Sequence, residues 1–194
     1  MREMGQPTQE IEVKLSYESA AAARQAVERL GAVTRTPRHF EDNIVFDRDD
    51  HSLEEAGVTL RVRIRGEESI LTLKLPVAGD HRHKVREEIE TTVGDAETMI
   101  RLFAGLGYEP RWRYQKFRTV YALDELAICL DETPIGCFVE LEGAPEQIDA
   151  TAARLGFSSD QYVCGSYREL GEQEAARRGV EIGDMLVDPD GAAR

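Results

Sequence analysis

Glu10-Ile11-Glu12-Val13-Lys14-Leu15 places a charge at every second position and an aliphatic residue at each position between. That is the period of a β-strand with one ionic and one apolar face, because successive side chains on an extended chain point to opposite sides. Leu60-Arg61-Val62-Arg63-Ile64-Arg65 repeats the pattern with three arginines on one face, and Leu71-Thr72-Leu73-Lys74-Leu75 repeats it more mildly. Val85-Arg86-Glu87-Glu88-Ile89-Glu90 groups Arg86, Glu88 and Glu90. Lys116-Phe117-Arg118 and Phe138-Val139-Glu140-Leu141-Glu142 continue the series. Ile128-Cys129-Leu130-Asp131 and the segment from His39 to Asp47 are further, less regular strands.

Helices are expected between them. Ser16 or Ser19 can cap an Ala-rich run through Leu30 that stops at Gly31, and Asp95 can cap a run from Ala96 to Ala104. Pro145 is placed to open a third helix ending at Leu155-Gly156-Phe157, and Tyr167 to Arg178 reads as a fourth. Residues 1–179 are read as one domain and 180–194 as a loose tail. Strands interspersed with helices, with charged faces alternating against aliphatic ones, predict an α+β fold: a mainly antiparallel sheet carrying helices on its apolar side.

The chain has 194 residues, 41% of them hydrophobic, enough for one sizeable core. No apolar run is long enough to span a membrane. Met1 to Gln9 is polar and lacks the apolar stretch of a secretory signal. Three cysteines, Cys129, Cys137 and Cys164, form an odd set without a C-x-x-C pair. That suits reduced thiols packed inertly in a cytoplasmic protein and disfavours a zinc site. His39, His51, His81 and His83 show no zinc spacing either. The net charge of −13 argues against a nucleic-acid or anionic-membrane partner. Yet residues 61–118 hold 12 Lys/Arg against 9 Asp/Glu, a cation-rich middle in an acidic chain. Such a distribution suits a small polyanion held inside.

The ionic face has two readings. It can face water as a ladder of cross-strand pairs, each worth roughly 0.2–1 kcal/mol. Alternatively the sheet closes and the ionic face lines its lumen. Acids cluster on some strands and bases on others, which favours closure, and a charged interior implies a ligand. Seven acids (Glu10, Glu12, Glu88, Glu90, Asp131, Glu140, Glu142) and seven bases (Lys14, Arg61, Arg63, Lys74, Arg86, Lys116, Arg118) nearly cancel. Arg65 falls at a strand end. Carboxylates suit Mg²⁺ or Mn²⁺, and guanidinium forks suit phosphate oxygens. Both sets on one face describe a receptor for a metal–polyphosphate complex.

Taken in order, these motifs resemble the CYTH family, the triphosphate tunnel metalloenzymes. The resemblance begins at Glu10-x-Glu12-x-Lys14. It continues through Leu60-Arg61-x-Arg63, Thr72-x-Lys74, Arg86-x-Glu88-x-Glu90, Lys116-x-Arg118, Leu130-Asp131, Gly136-x-Phe138-x-Glu140-x-Glu142 and Ser166-Tyr167-x-x-Leu170. It implies a closed eight-stranded antiparallel β-barrel, open as a tunnel, with helices packed outside. It further implies that Glu10, Glu12, Glu140 and Glu142 bind a divalent metal with Asp131 assisting. Lys14, Arg61, Arg63, Lys74, Lys116 and Arg118, with Arg86, would hold phosphates, and Glu88 and Glu90 would line the wall. Glu10, Glu12 and Lys14 form the catalytic set.

One departure stands out. Family members often carry a basic residue just before the Ser-Tyr pair, where this chain has Cys164-Gly165. His81, His83 or Lys84 could supply that contact from a neighbouring loop. Ser166-Tyr167 itself reads as a helix cap or part of the tunnel wall.

The family contains triphosphatases, acting on inorganic, thiamine or nucleoside triphosphates, and class IV adenylyl cyclases, and homodimers are an option. Phe40, Phe46, Trp112 and Tyr114 define no adenine slot in the sequence, while the arginine strand favours gripping the polyphosphate itself. The expectation is therefore hydrolysis with Mg²⁺ or Mn²⁺, with cyclisation of ATP or ligand binding without turnover as the alternatives.

Overall fold

The computed structural model describes residues 8–79 and 82–188. The expectations for Met1–Gln9 up to residue 7, for His81 and for the end of the tail at 189–194 lie outside them. Eight strands are present among the described residues: β1 (Thr8–Tyr17), β2 (Val33–Asp47), β3 (Thr59–Arg65), β4 (Glu68–Pro76), β5 (Lys84–Val93), β6 (Glu109–Leu123), β7 (Leu126–Thr133) and β8 (Gly136–Glu142). They close into a barrel in the order β1-β5-β4-β3-β2-β6-β7-β8. The α-helices are α1 (Ala20–Arg29), α2 (Ser52–Glu55), α3 (Ala96–Gly105), α4 (Pro145–Arg154) and α5 (Tyr167–Arg178).

Local chemistry sets the helix ends. Of the two candidate caps for α1, Ser19 is the one used: its hydroxyl accepts from Ala22 N at 3.2 Å, and the chain leaves through Gly31 at φ +81°. Asp95 accepts from Thr98 N at 2.8 Å to start α3, and Pro145 opens α4. Ser166 and Glu169 form a reciprocal capping box at α5. The sequence reading did not anticipate α2. The Asp47 carboxylate creates this single turn by accepting from the backbone N–H groups of Leu53 (3.0 Å) and Glu54 (2.8 Å).

The described residues form two compact units, each discontinuous in sequence. The first takes the chain to Glu10, then Phe40–Gly79 and Val85–Gln115. Its core is Phe46, Val62 and Phe103, with Ile44, Leu60 and Leu71 packed against them. Leu60 and Val62 thus belong to the apolar side on which α3 packs, and Arg61 and Arg63 alternate onto the other side. The second unit takes Ile11–His39, the segment ending at Lys84, and the chain from Lys116. Val13, Leu15, Tyr121, Ile128, Leu130, Val139 and Leu141 form its core with Ala23 and Val27 of α1 and Ile148 and Ala152 of α4. Here too Glu12, Lys14, Asp131 and Glu140 alternate to the side away from α1 and α4, whereas Glu132 of β7 lies near Arg24 of α1.

The chain beyond Gly179 is not all loose. Met185 is buried, and Ile182 lies against Gly171 of α5.

Candidate functional site

In the second unit the charged face is a buried ionic lattice. Antiparallel pairing of β1 with β8 sets Glu12 opposite Glu142 and Lys14 opposite Glu140. The Lys14 ammonium, 2% exposed, lies 3.0 Å from Glu12 Oε1 and 3.3 Å from Glu140 Oε1. Burial opposes its charge, yet Glu12 and Glu140 hold its pKa above the ordinary lysine value. Asp131 of β7 is fully buried and accepts from four donors: Lys116 Nζ at 2.7 Å, Arg118 Nε at 2.6 Å, Arg118 Nη2, and the Tyr167 hydroxyl at 2.6 Å. Arg118 also reaches Glu140. Burial alone would raise the Glu140 pKa, but Arg118, Lys14, Lys116 and Lys84 hold it well below the usual carboxylate range. Burial, reinforced by Asp131 and Glu140, pushes the Tyr167 hydroxyl well above its normal value. Its ring carries Lys14 and Lys116 over its face, with their ammonium nitrogens 5.3 and 4.9 Å from the centroid.

The first unit is built differently. Arg61 donates to the Tyr114 hydroxyl at 3.0 Å and to Thr72 Oγ1 at 3.1 Å, and Thr72 in turn donates to Glu90 at 3.1 Å. Arg63 donates to Asn43 Oδ1 at 2.9 Å and lies 3.4 Å from Glu41. Lys74 joins Glu10, and Glu88 at 3.4 Å. Arg86 is turned to backbone carbonyls, those of Gly57 and Lys74. Arg65 pairs with Glu68 at the turn, as a strand-end residue should.

Each unit brings together most of the residues the alternation selects, with Arg86 turned instead to backbone carbonyls. Glu12, Lys14, Lys116, Arg118, Asp131 and Glu140 share one network, and Glu142 stands opposite Glu12. Glu10, Arg61, Arg63, Lys74, Glu88 and Glu90 belong to the contacts of the first unit. Sequence reasoning missed Glu41 and Asn43 as members; Lys84, which the sequence offered as one of three loop cations, joins through Glu12. Glu41 and Asn43 alternate along β2, but Asp42 between them is also charged and pairs with Arg113, so both faces of that strand look ionic. Cys129, expected as an inert packed thiol, is set in an ionic rather than an apolar surrounding: it stands opposite Glu140 near Arg118 and Asp131. Burial and the two carboxylates, opposed by Arg118, push its thiol up to about 11, so it stays protonated and unreactive.

Carboxylates are the donors that a hard divalent cation accepts. Glu12 and Glu142 face each other directly across an antiparallel pair, and the Lys14 and Lys84 ammonium groups beside Glu12 offset that repulsion. Among the described residues, Asp47, His51 and Glu54 place possible ligand atoms within 4.8 Å of one another. The Asp47 carboxylate is already committed to capping α2, which accounts for that grouping.

Ionic strands of this order in a closed eight-stranded barrel decide the family. The chain belongs to the CYTH domain family. The family's sequence profile matches residues 8–161. CYTH proteins are triphosphatases or adenylyl cyclases that bind triphosphate-containing small molecules and generally use divalent metals. A Methanocaldococcus jannaschii protein provisionally named an adenylate cyclase is 27% identical over 172 residues, covering 83% of this chain and 97% of its own. The crystal structure of a Vibrio parahaemolyticus protein, also provisionally named an adenylate cyclase, superimposes with a TM-score of 0.74 at 20% identity. It spans 85% of this chain and 98% of that one. HpAC1 of Hippeastrum, an adenylyl cyclase candidate with a dominant triphosphatase activity, gives a TM-score of 0.56 at 20% identity, covering 89% and 97% of the two chains. The likenesses to the Vibrio and Hippeastrum structures establish the shared fold. No helix among the described residues is long and apolar enough to cross a membrane.

Proposed function

We propose that this CYTH protein is a divalent-metal-dependent phosphohydrolase of triphosphate-containing substrates. The reading rests on one observation above all: lysine and arginine side chains buried among carboxylates on the side of the strands away from α1 and α4. Burying so many charges costs desolvation even when they are paired, and apolar residues would fill the same space without it, which favours a functional reason for keeping them. Glu12, Glu140 and Glu142, with Glu10, would hold Mg²⁺ or Mn²⁺, which when bound would neutralise phosphate oxygens and polarise the phosphorus. Lys14, Lys116 and Arg118, together with Arg61, Arg63 and Lys74, would take the remaining phosphate oxygens and the charge that develops on the leaving group. Glu10, Glu12 and Lys14 would orient the attacking water, whose addition to the terminal phosphorus breaks the P–O bond to the diphosphate. Asp131 is assigned a positioning role, because its oxygens are occupied by Lys116, Arg118 and Tyr167. Glu88 and Glu90 are assigned to the wall.

A second reading, cyclisation of ATP, gains support from Trp112 and Tyr114. Their rings stack 4.8 Å apart, and Tyr114 is bonded to Arg61, so an aromatic surface adjoins a phosphate-binding guanidinium. The triphosphatase activity of HpAC1 weighs on the other side.

The experiment is a panel of inorganic triphosphate, thiamine triphosphate and ATP with Mg²⁺ or Mn²⁺, with products identified by phosphorus NMR. Orthophosphate release is the expected result, and Glu12→Gln should reduce it by at least about a hundredfold. Cyclic AMP as the main product would replace hydrolysis with the second reading. Full turnover by Glu12→Gln would remove the metal assignment.

A further inference from the structure

Lys84 is the first residue of β5 and lies in a stretch that the sequence presents as a loop. Its ammonium is 2.9 Å from Glu12 Oε1, the same oxygen that receives Lys14 at 3.0 Å. Two lysines therefore converge on one carboxylate oxygen whose side chain is only 7% exposed.

The residues just before Lys84 are held from outside. His83 Nε2 lies 2.9 Å from Asp149 Oδ1 of α4, and the Tyr162 hydroxyl donates to the same oxygen at 2.9 Å. Arg82 pairs with the other Asp149 oxygen, and its carbonyl is 3.4 Å from Cys164 Sγ. The His83 and Tyr162 rings are 6.0 Å apart. Burial works to raise the Asp149 pKa, but hydrogen bonds from His83 and Tyr162 keep it below its ordinary value, so the anchor is anionic. Fastening Arg82 and His83 to Asp149 fixes the chain just ahead of β5, where Lys84 turns to Glu12.

A buried hydrophobic clamp would close the same corner without the cost of desolvating an ammonium. The arrangement instead holds a compact, rotatable cation beside a carboxylate already served by Lys14, within reach of any anion that approaches Glu12.

We propose that Lys84 is a phosphate-binding residue of the site, and that Asp149, through His83, is its positioning residue. It supplies from β5 the cation that Cys164-Gly165 does not offer. This rests on the triphosphatase reading above and adds a residue to it. The Lys84 ammonium turns from Glu12 to a terminal phosphate oxygen as substrate enters, and it makes and breaks no covalent bond.

The test uses the full chain with Mg²⁺ and inorganic triphosphate, comparing wild type with Lys84→Met, Lys84→Arg and Asp149→Asn. Calorimetric Kd and phosphate-release kinetics are both measured. Lys84→Met should raise Kd and KM about tenfold, the loss of one charge-assisted contact, with kcat changed less than about threefold. Lys84→Arg should recover most of the affinity. Asp149→Asn should weaken binding less than Lys84→Met, and the double variant should be no worse than Lys84→Met alone. If wild type is active and Lys84→Met binds and turns over as wild type does, the inference is wrong and the triphosphatase reading stands. If wild type binds triphosphate without hydrolysing it, that reading falls while Kd still judges Lys84. If wild type neither binds nor hydrolyses, both fall. Lys84→Gln is the fallback should Lys84→Met not fold, and it carries the same expected Kd.

Discussion

The two units hold Arg118 and Arg61 in opposite ways, although Lys74 of the first unit also pairs with carboxylates, Glu10 and Glu88. In the second, Lys116 and Arg118 are fastened to a carboxylate, Asp131, that has no exposed surface. In the first, Arg61 is fastened to the hydroxyls of Tyr114 and Thr72, and Arg63 to the amide oxygen of Asn43 as well as to Glu41. A carboxylate fixes a cation and cancels its charge. A hydroxyl or amide fixes a guanidinium and leaves the charge available to a ligand. The first arrangement spends its chemistry on rigidity, the second on affinity. Removing a buried anion should therefore damage the fold, whereas removing a neutral acceptor should damage binding.

The largest effect should follow Asp131→Asn. Two buried cations lose their counter-charge, and chemical denaturation should show a loss of about 3–5 kcal/mol. A loss no larger than that of Thr72→Val would break the contrast.

Acid should sharpen it next. The folded-state pKa of Glu140 is depressed, so its stabilising contribution is complete above its unfolded value of about 4.3 and fades as pH falls through the lower folded value. In urea titrations, wild type should lose stability steeply below about pH 4, and Glu140→Gln should start less stable at neutral pH and show a flatter acid limb. Parallel acid limbs would show that the pairing of Glu140 is not what stabilises the second unit.

The smallest stability change belongs to Thr72→Val, about 1 kcal/mol for a replaced hydroxyl. Its signature should lie in binding: a several-fold higher KM for triphosphate as Arg61 loses its orientation, with the melting temperature lowered by only a few degrees. An unchanged KM would mean that Tyr114 alone aims Arg61.

Much of this was legible in the sequence because period-two alternation is strict wherever one face must be apolar. Val13 and Leu15 against Glu12 and Lys14, or Val62 against Arg61 and Arg63, fix a strand and its facing at once. The eight-stranded closure came from resemblance, since alternation does not reveal which strands pair. What stayed hidden has physical causes. Glu41 and Asn43 sit on a strand whose other face carries Asp42, so the pattern blurs. Lys84 looks like part of a loop because Arg82, His83 and Lys84 read as one charged run; in the structure Arg82 and His83 both turn to Asp149 of α4, while Lys84 turns to Glu12. Cys129 was misread because a run of Ile, Cys and Leu says nothing of Glu140 across from it.

Lys14 and Val163 exchange backbone hydrogen bonds, N to O at 3.1 and 2.9 Å, forming an isolated antiparallel bridge. The residues after α4 thus act as a stub that seals the edge of β1 beside its most buried lysine, and four positions later Tyr167 closes over Asp131. The family match ends at residue 161, before either contact. A truncated clone ending there would expose the main chain of Lys14 to water and leave Asp131 one donor short, so a portion that keeps this ionic network intact must run at least to Tyr167.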